Sequence, residues 1–277
     1  MIPAFAYARP ATLDEALSLL ADHVADTKVL AGGQSLIPLL KLRLAHPDRL
    51  IDIGRLSELR GVCRLDDGGL AVGALTTYAE LMASDARHYA LLADALPEIG
   101  DVQVRNRGTV GGSLAHADPS SDLPACLLAL GAEVVLRSRR GVRTVPVDGF
   151  FAGPFQSGIE PDELLTEIRL PAPREDAGSA YASLTQPASG YSMVGVAAVV
   201  FAGGGAGIGI TGVGDHPYRA GAVEAALSAG ASPAEAAAHA ADGITVAGDI
   251  HADPGYRRAM ATVYTRRAIE TARARLG

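Results

Sequence analysis

The chain has 277 residues, of which 48% are hydrophobic and 20% charged, a balance typical of a globular protein with a packed core. Its formal net charge of −7 lacks the basic excess of a nucleic-acid-binding protein. No apolar run approaches the roughly 18 residues of a membrane span, and no signal peptide is evident, so we expect a cytoplasmic protein. The isolated cysteines Cys63 and Cys126 form no CxxC pair, which argues against a zinc or iron–sulfur site in this chain.

The N-terminal region predicts short helices and strands in alternation. Thr12 and Glu15 form a capping box that opens a helix through about Val24. Pro38 suits the first turn of a second helix over 36–44. Strands are predicted over 27–32 and 49–53, a hairpin over 62–73, and helices over 76–84 and 86–99.

The rest of the chain predicts further helices and strands, with a domain boundary. A helix over 122–131 begins at Asp122 and ends at Gly131. The boundary lies around 171–179, where Pro, Gly and charged residues concentrate. Strands are predicted over 132–138, 141–147, 163–173, 190–201 and 206–213, and alanine-rich helices near 216–228, 232–242 and 254–275.

Two glycine loops are the main candidates for ligand binding. The first runs from Ala31 to Ser35 and the second from Gly108 to Ser113, and each joins paired glycines to a small hydroxyl residue. A phosphate needs several converging backbone N–H donors, which a Cβ would obstruct. Two such loops could hold the two phosphates of a dinucleotide from opposite sides. The alternative is that each loop is only a turn.

A third glycine segment matches a nucleotide-binding pattern without its context. Residues 207–212 fit G-x-G-x-x-G, but their glycines alternate with Ile208 and Ile210, which is strand periodicity. The dinucleotide fingerprint needs a helix that opens directly on the glycines. We therefore predict a glycine-rich strand here.

Several polar and aromatic residues leave two interpretations open. Asp122 could cap its helix or accept hydrogen bonds from the hydroxyls of a ligand. Arg105 and Arg107 could offset phosphate charge or pair with acidic residues. Tyr191 could cover a planar ring or be ordinary half-buried packing. Three His–Asp pairs favour solvated loops over metal ligation, apart from His116 beside the second glycine loop: His46 with Asp48, His116 with Asp118, and His251 with Asp253.

Three stretches together resemble a known family: AGGQSLIPLLKLRL, VQVRNRGTVGGSLAHADPSSDLPA and GVGDHPYRA. They are similar to the FAD-binding medium subunit of molybdenum hydroxylases, the carbon monoxide dehydrogenase and xanthine dehydrogenase family. The resemblance implies an α+β protein with a vanillyl-alcohol-oxidase-type FAD-binding fold. Its FAD-binding domain would span 1–175, with two α/β subdomains at about 1–58 and 59–175. A C-terminal domain over 176–277 would hold a three-stranded antiparallel sheet and a helical bundle.

The resemblance also implies a cofactor site, with FAD between the domains and Tyr191 beside the isoalloxazine. It implies no catalytic side chain and no metal in this chain. The positions that match ligand contacts are Lys28, Val29, Leu30, Ala31, Gly32, Gly33, Gln34, Ser35, Leu36, Ile37, Ile99, Gly100, Gly108, Thr109, Val110, Gly111, Gly112, Ser113, Ala115, His116, Ser121, Asp122, Leu164, Leu165 and Tyr191.

The implied partners are a small subunit with [2Fe–2S] clusters and a large molybdopterin subunit, as a dimer of heterotrimers. Electrons would pass from molybdenum through the clusters to FAD and then to an external acceptor. The chain departs from the family at four positions: Gln34 stands for a common His, Ser113 for Asn, Ser183 for Lys and Gly190 for Asp. The alternatives are a stand-alone flavin oxidase of the same fold and a non-enzymatic nucleotide-binding module.

Overall fold

The first subdomain is a small parallel sheet with two helices. The computed structural model describes residues 4–22 and 26–276. The strands β1 (Ala6–Ala8), β2 (Thr27–Leu30) and β3 (Arg49–Asp52) are arranged in the order β1-β3-β2. Helices α1 (Leu13–Asp22) and α2 (Leu36–Lys41) follow the first two strands.

Local sequence signals account for both helices in part. Thr12 Oγ1 accepts a hydrogen bond from the Glu15 N–H, whereas the Glu15 carboxylate binds the N–H of Ala11. The predicted end of α1 at Val24 lies outside the described residues. Helix α2 ends at Lys41 rather than 44, because Arg43 takes a left-handed φ of 57°.

The second subdomain is built around a five-stranded antiparallel sheet. Its order is β4-β5-β10-β6-β7, and a separate hairpin pairs β8 with β9. The strands are β4 (Val62–Arg64), β5 (Leu70–Gly73), β6 (Glu133–Ser138), β7 (Gly141–Pro146), β8 (Phe151–Gly153), β9 (Gln156–Ser157) and β10 (Leu164–Leu170). The helices are α3 (Tyr78–Ala83), α4 (Ala90–Ala95), α5 (Val102–Arg107), α6 (Val110–His116) and α7 (Asp122–Leu130).

One helix prediction and one loop prediction in this subdomain differ from the structure. The segment 86–99 is not one helix, because α4 is flanked by 3-10 turns at Asp85–His88 and Leu96–Glu98. Residues 108–113 are not only a loop, since α6 begins at Val110 and contains both paired glycines. Glycine lowers helix propensity, and packing overrides that preference here.

The C-terminal domain has an antiparallel sheet covered by helices. The strands β11 (Ala177–Thr185), β12 (Ser192–Phe201) and β13 (Ala206–Thr211) are long, and a two-residue strand β14 (Tyr218–Arg219) adds a fourth. Helices α8 (Gly221–Ser228), α9 (Pro233–Ala237) and α10 (Pro254–Ala274) follow. Helix α8 begins after the predicted 216, and α9 is shorter than 232–242. Across the described ranges, no helix is long and apolar enough to cross a membrane.

Residues 207–211 of the glycine-rich segment lie on strand β13, as predicted, and pack against α7. A Cβ on Gly207 would lie 2.1 Å from the carbonyl oxygen of Ala129, and one on Gly209 would lie 2.0 Å from that of Ala125. Ile208 and Ile210 point to the opposite face and are buried in the C-terminal core. The alternating glycines therefore let β13 and α7 approach backbone to backbone.

Candidate cofactor site

The two glycine loops lie against each other. The first follows the carboxyl end of β2, and the second joins α5 to α6. A Cβ on Gly32 would lie 2.1 Å from the carbonyl oxygen of Arg107 and 3.1 Å from the Cα of Gly108. This contact is too close for any side chain at position 32. Gly32 therefore serves the packing of the loops, which partly supports the interpretation as a turn.

The first loop has backbone donors for which the described residues supply no acceptor. Within residues 4–22 and 26–276, no group accepts a hydrogen bond from the N–H of Gly32, Gly33, Gln34 or Ser35. Gly33 has a φ of +77°, a conformation that favours glycine. Ser35 precedes the first residue of α2, and its hydroxyl makes no cap bond. Four consecutive free donors before a helix are a favourable setting for an anion.

The second loop differs from the first, because most of its backbone N–H groups donate to other groups of the protein. Val110 N–H donates to Thr76 O and Gly111 N–H to Ala74 O, both at 2.9 Å. Gly112 N–H donates to Thr109 Oγ1 at 3.2 Å. Ser113 N–H donates to Thr109 O, so none of these four groups is free. This loop can offer a ligand its hydroxyl side chains rather than a row of N–H donors.

The hydroxyls and the imidazole near α6 form the next part of the site. Ser113 Oγ and Ser121 Oγ are 2.8 Å apart, which joins the two ends of the 113–121 segment. His116 is half-buried, and its ring centroid lies 5.0 Å from that of Phe155. Burial lowers the pKa of His116, and the charge of Lys28 lowers it further, although Asp118 opposes both. A neutral imidazole beside the loops is available as a hydrogen-bond donor.

Asp122 does not cap its helix. Ser121 occupies the cap position, and Asp122 is the first residue of α7. Its Oδ1 accepts hydrogen bonds from Tyr181 Oη and, at 2.5 Å, from Ser192 Oγ. Burial raises the pKa of Asp122, while these two hydrogen bonds lower it. Both donors come from the C-terminal domain, so Asp122 lies where the two domains meet.

Tyr191 lies on a compact loop of the C-terminal domain. The Oε1 of Gln186 accepts from the N–H groups of Ala188 and Ser189, at 2.6 and 2.7 Å. The side chain of Tyr191 remains 51% exposed. Gly190 has a φ of +73°, a conformation that favours glycine. An exposed aromatic ring on a self-bonded loop is suited to stacking on a planar ligand.

Several other predicted contact residues make contacts within the protein. Leu164 and Leu165 are buried in β10 at 4% and 6% exposure, so their side chains belong to the core. Ile99 and Gly100 form a loop whose carbonyls bind the guanidinium of Arg105, at 3.0 and 2.8 Å. Backbone carbonyl groups thus bind the guanidinium of Arg105. Arg107 lines a cavity of about 340 Å³ together with Ala31, Gly32 and Thr109.

The remaining predicted contacts lie along the same elements. Lys28, Gln34 and Ala115 are exposed, and Gly108 is buried. Val29, Leu30, Leu36 and Ile37 are half-buried around the first loop. In the part of the chain that the structure describes, no group of three His, Cys, Asp or Glu side chains could hold a metal ion.

Sequence reasoning missed Tyr181 and Ser192, the partners of Asp122. They lie 59 and 70 residues from it in the chain. Tyr181 belongs to β11, a strand that the sequence pattern did not predict. No local motif marks either residue, because their role depends on the packing of the two domains.

Comparisons with known proteins identify the family of the chain. A family model described as an FAD binding domain in molybdopterin dehydrogenase matches residues 3–173. A second, described as a CO dehydrogenase flavoprotein C-terminal domain, matches residues 179–272. The carbon monoxide dehydrogenase medium chain of Hydrogenophaga pseudoflava is 39% identical to this chain, covering 99% of it and 98% of the relative. Caffeine dehydrogenase subunit beta of a Pseudomonas species is 35% identical, covering 99% and 96%.

Solved structures agree with the fold. Carbon monoxide dehydrogenase from Hydrogenophaga pseudoflava, in a form lacking the Mo-pyranopterin moiety, matches with a TM-score of 0.95 and 40% identity over all of both chains. Quinoline 2-oxidoreductase from Pseudomonas putida 86 matches with a TM-score of 0.89 and 31% identity, also over all of both chains. The predicted α+β FAD-binding fold is confirmed.

Proposed function

Since the chain belongs to the family of FAD-binding medium subunits of molybdenum hydroxylases, we propose that it is the electron-transfer subunit of such a complex. Its class is an oxidoreductase subunit. Bound FAD supplies the redox chemistry, which carries electrons from the [2Fe–2S] clusters of a partner subunit to an external acceptor. The protein's own part is to bind and orient the cofactor.

The residues at the loop junction fit a dinucleotide. The free N–H groups of Gly32 to Ser35 form a cradle for a pyrophosphate oxygen, and Gly33 needs its positive φ to complete it. We propose that this loop binds the pyrophosphate through its backbone, while Thr109 and Ser113 contribute hydroxyls from the second loop. This cradle is the observation that carries the proposal.

Two residues would hold the flavin half of the cofactor. Asp122 can accept hydrogen bonds from ribityl hydroxyls, because only its Oδ1 is engaged by described residues. Tyr191 can stack on the isoalloxazine from the C-terminal domain. The cofactor would then lie between the domains, in contact with both.

The domain division and the assembly are also proposals. Most buried residues from Ala180 to Ala272 form a hydrophobic cluster of their own, although Ala197 and Val199 belong to the cluster of the preceding region, and this supports domains of 1–175 and 176–277. A small iron–sulfur subunit and a large molybdopterin subunit are the proposed partners, in a dimer of heterotrimers.

The free thiols Cys63 and Cys126 support a cytoplasmic location.

The visible spectrum of the purified full-length chain tests the function. We expect a flavin spectrum, or its appearance after FAD is added, and release of FAD rather than FMN on denaturation. A chain that binds no flavin under either condition would contradict the proposal. A stand-alone oxidase would consume its own substrate without partner subunits, so co-purification followed by assays of the isolated chain separates that alternative.

A further inference from the structure

We propose that Tyr181 and Ser192 are positioning residues for FAD, which hold one oxygen of Asp122 so that the other is presented to the cofactor. The proposal rests on the proposed contact between Asp122 and FAD. It assigns to the C-terminal domain a second contribution to the site, besides Tyr191. Neither residue would touch the cofactor itself.

Tyr181 is fixed at both ends by the FAD-binding domain. Its backbone N–H donates to Asp94 Oδ2 at 3.2 Å, and its phenol donates to Asp122 Oδ1. Behind the phenol lies Gly195, where a Cβ would be 2.1 Å from the Tyr181 oxygen. The Tyr181 hydroxyl therefore cannot move away from Asp122 towards Gly195. Any side chain at position 195 would displace this hydroxyl.

Ser192 completes the arrangement on the same oxygen. Its Oγ donates to Asp122 Oδ1 at 2.5 Å, and the residue is 1% exposed. Two donors on Oδ1 fix the rotation of the carboxylate, because turning it would break both bonds. No described residue donates to Oδ2, which leaves that oxygen as the acceptor for a ligand hydroxyl.

The two hydroxyls also favour the charged form of Asp122. Burial raises the pKa of this carboxyl, and the nearby charge of Glu98 raises it further. The hydrogen bonds from Ser192 and Tyr181 act in the opposite direction. The other ionisable groups that couple to Asp122 are Cys126, Tyr78 and Tyr191, whose own pKa values burial raises, so they stay neutral near pH 7.

Tyr181→Phe in the full-length chain tests the proposal. We expect FAD to bind about tenfold more weakly, as the loss of a hydrogen bond to a charged group allows. Tyr218→Phe is the matched control, since Tyr218 is another buried tyrosine of this domain whose hydroxyl donates to Ala240 O at 2.9 Å. Titration of the apoprotein with FAD, followed by flavin fluorescence, gives both dissociation constants.

The pH dependence separates positioning from a general loss of stability. FAD affinity should fall as Asp122 becomes protonated, and in Tyr181→Phe this fall should begin at a higher pH, because a donor that favours the carboxylate is gone. A merely structural role would not move that midpoint. Ser192→Ala should shift it in the same direction, and it provides the test if Tyr181→Phe does not fold.

The outcomes are distinct. If the wild-type chain binds no FAD, the proposed function fails. If it binds FAD and both variants match Tyr218→Phe in affinity and in pH midpoint, the positioning role is refuted while the proposed function stands. An equal loss of affinity in all three variants would also refute the positioning role.

Discussion

Gly32→Ala tests how closely the two glycine loops must pack. A Cβ at this position would lie 2.1 Å from Arg107 O, whereas an ordinary contact begins at 3.4 Å. The loops would have to separate by about 1.3 Å (3.4 less 2.1 Å) to admit it. The obstructing atom belongs to the backbone, so no side-chain rotation relieves the clash.

Overpacking of this kind typically costs about 1–3 kcal/mol of folding free energy. The displaced loop carries the free N–H donors, so the change should also weaken FAD binding. Each 1.4 kcal/mol of binding free energy lost at these donors lowers the affinity about tenfold. Urea unfolding of the apoprotein gives the stability, and the ratio of flavin to protein absorbance gives the occupancy.

Gly221→Ala is the matched control for the same substitution. Gly221 begins α8, and a Cβ there would meet nothing within 4 Å. Alanine should be neutral or slightly stabilising at that position. If Gly32→Ala unfolds at the same urea concentration as Gly221→Ala and retains as much flavin, the reasoning about the loop contact is refuted.

Three further predictions concern the interdomain contact, the aromatic residue and one ion pair. Gly209→Ala should destabilise the protein by about 1–3 kcal/mol in urea unfolding, because its Cβ would lie 2.0 Å from a carbonyl of α7, whereas Gly203→Ala, with open space, should not. Tyr191→Ala should alter the flavin absorbance bands and lower FAD affinity, with an unchanged unfolding midpoint of the apoprotein; an unaltered spectrum would argue against stacking. Arg143 donates two hydrogen bonds of 2.7 Å to Glu163 and lowers the pKa of Glu163 below 4.5. The difference in unfolding free energy between wild type and Glu163→Gln should therefore be full above that pH and vanish as the pH falls through the folded pKa of Glu163. A difference that persisted unchanged in acid would contradict this.

Local patterns predicted the elements whose signals are short-range. The Thr12 cap opens α1, and the alternation of glycine with Ile208 and Ile210 identified a strand where the motif alone suggested a dinucleotide turn. The second glycine loop was placed beside the first, but its helical conformation was not predicted. Glycine content argues against a helix, and the contacts with residues 74–76 and with Thr109 supply compensating packing and hydrogen bonds.

The sequence by itself identified two glycine segments, each with a small hydroxyl residue, as candidates for one cofactor site. Only the tertiary structure decided which hydrogen-bonding groups each segment can offer to a ligand. No described residue accepts from the N–H groups of Gly32 to Ser35, whereas Val110 and Gly111 of the second loop donate to the neighbouring segment 74–76 and Gly112 and Ser113 donate to Thr109. The setting of Asp122 was likewise decided by residues 59 and 70 positions away. Hydrogen bonds between residues so far apart in the chain depend on how the domains pack. Local sequence patterns do not show that packing.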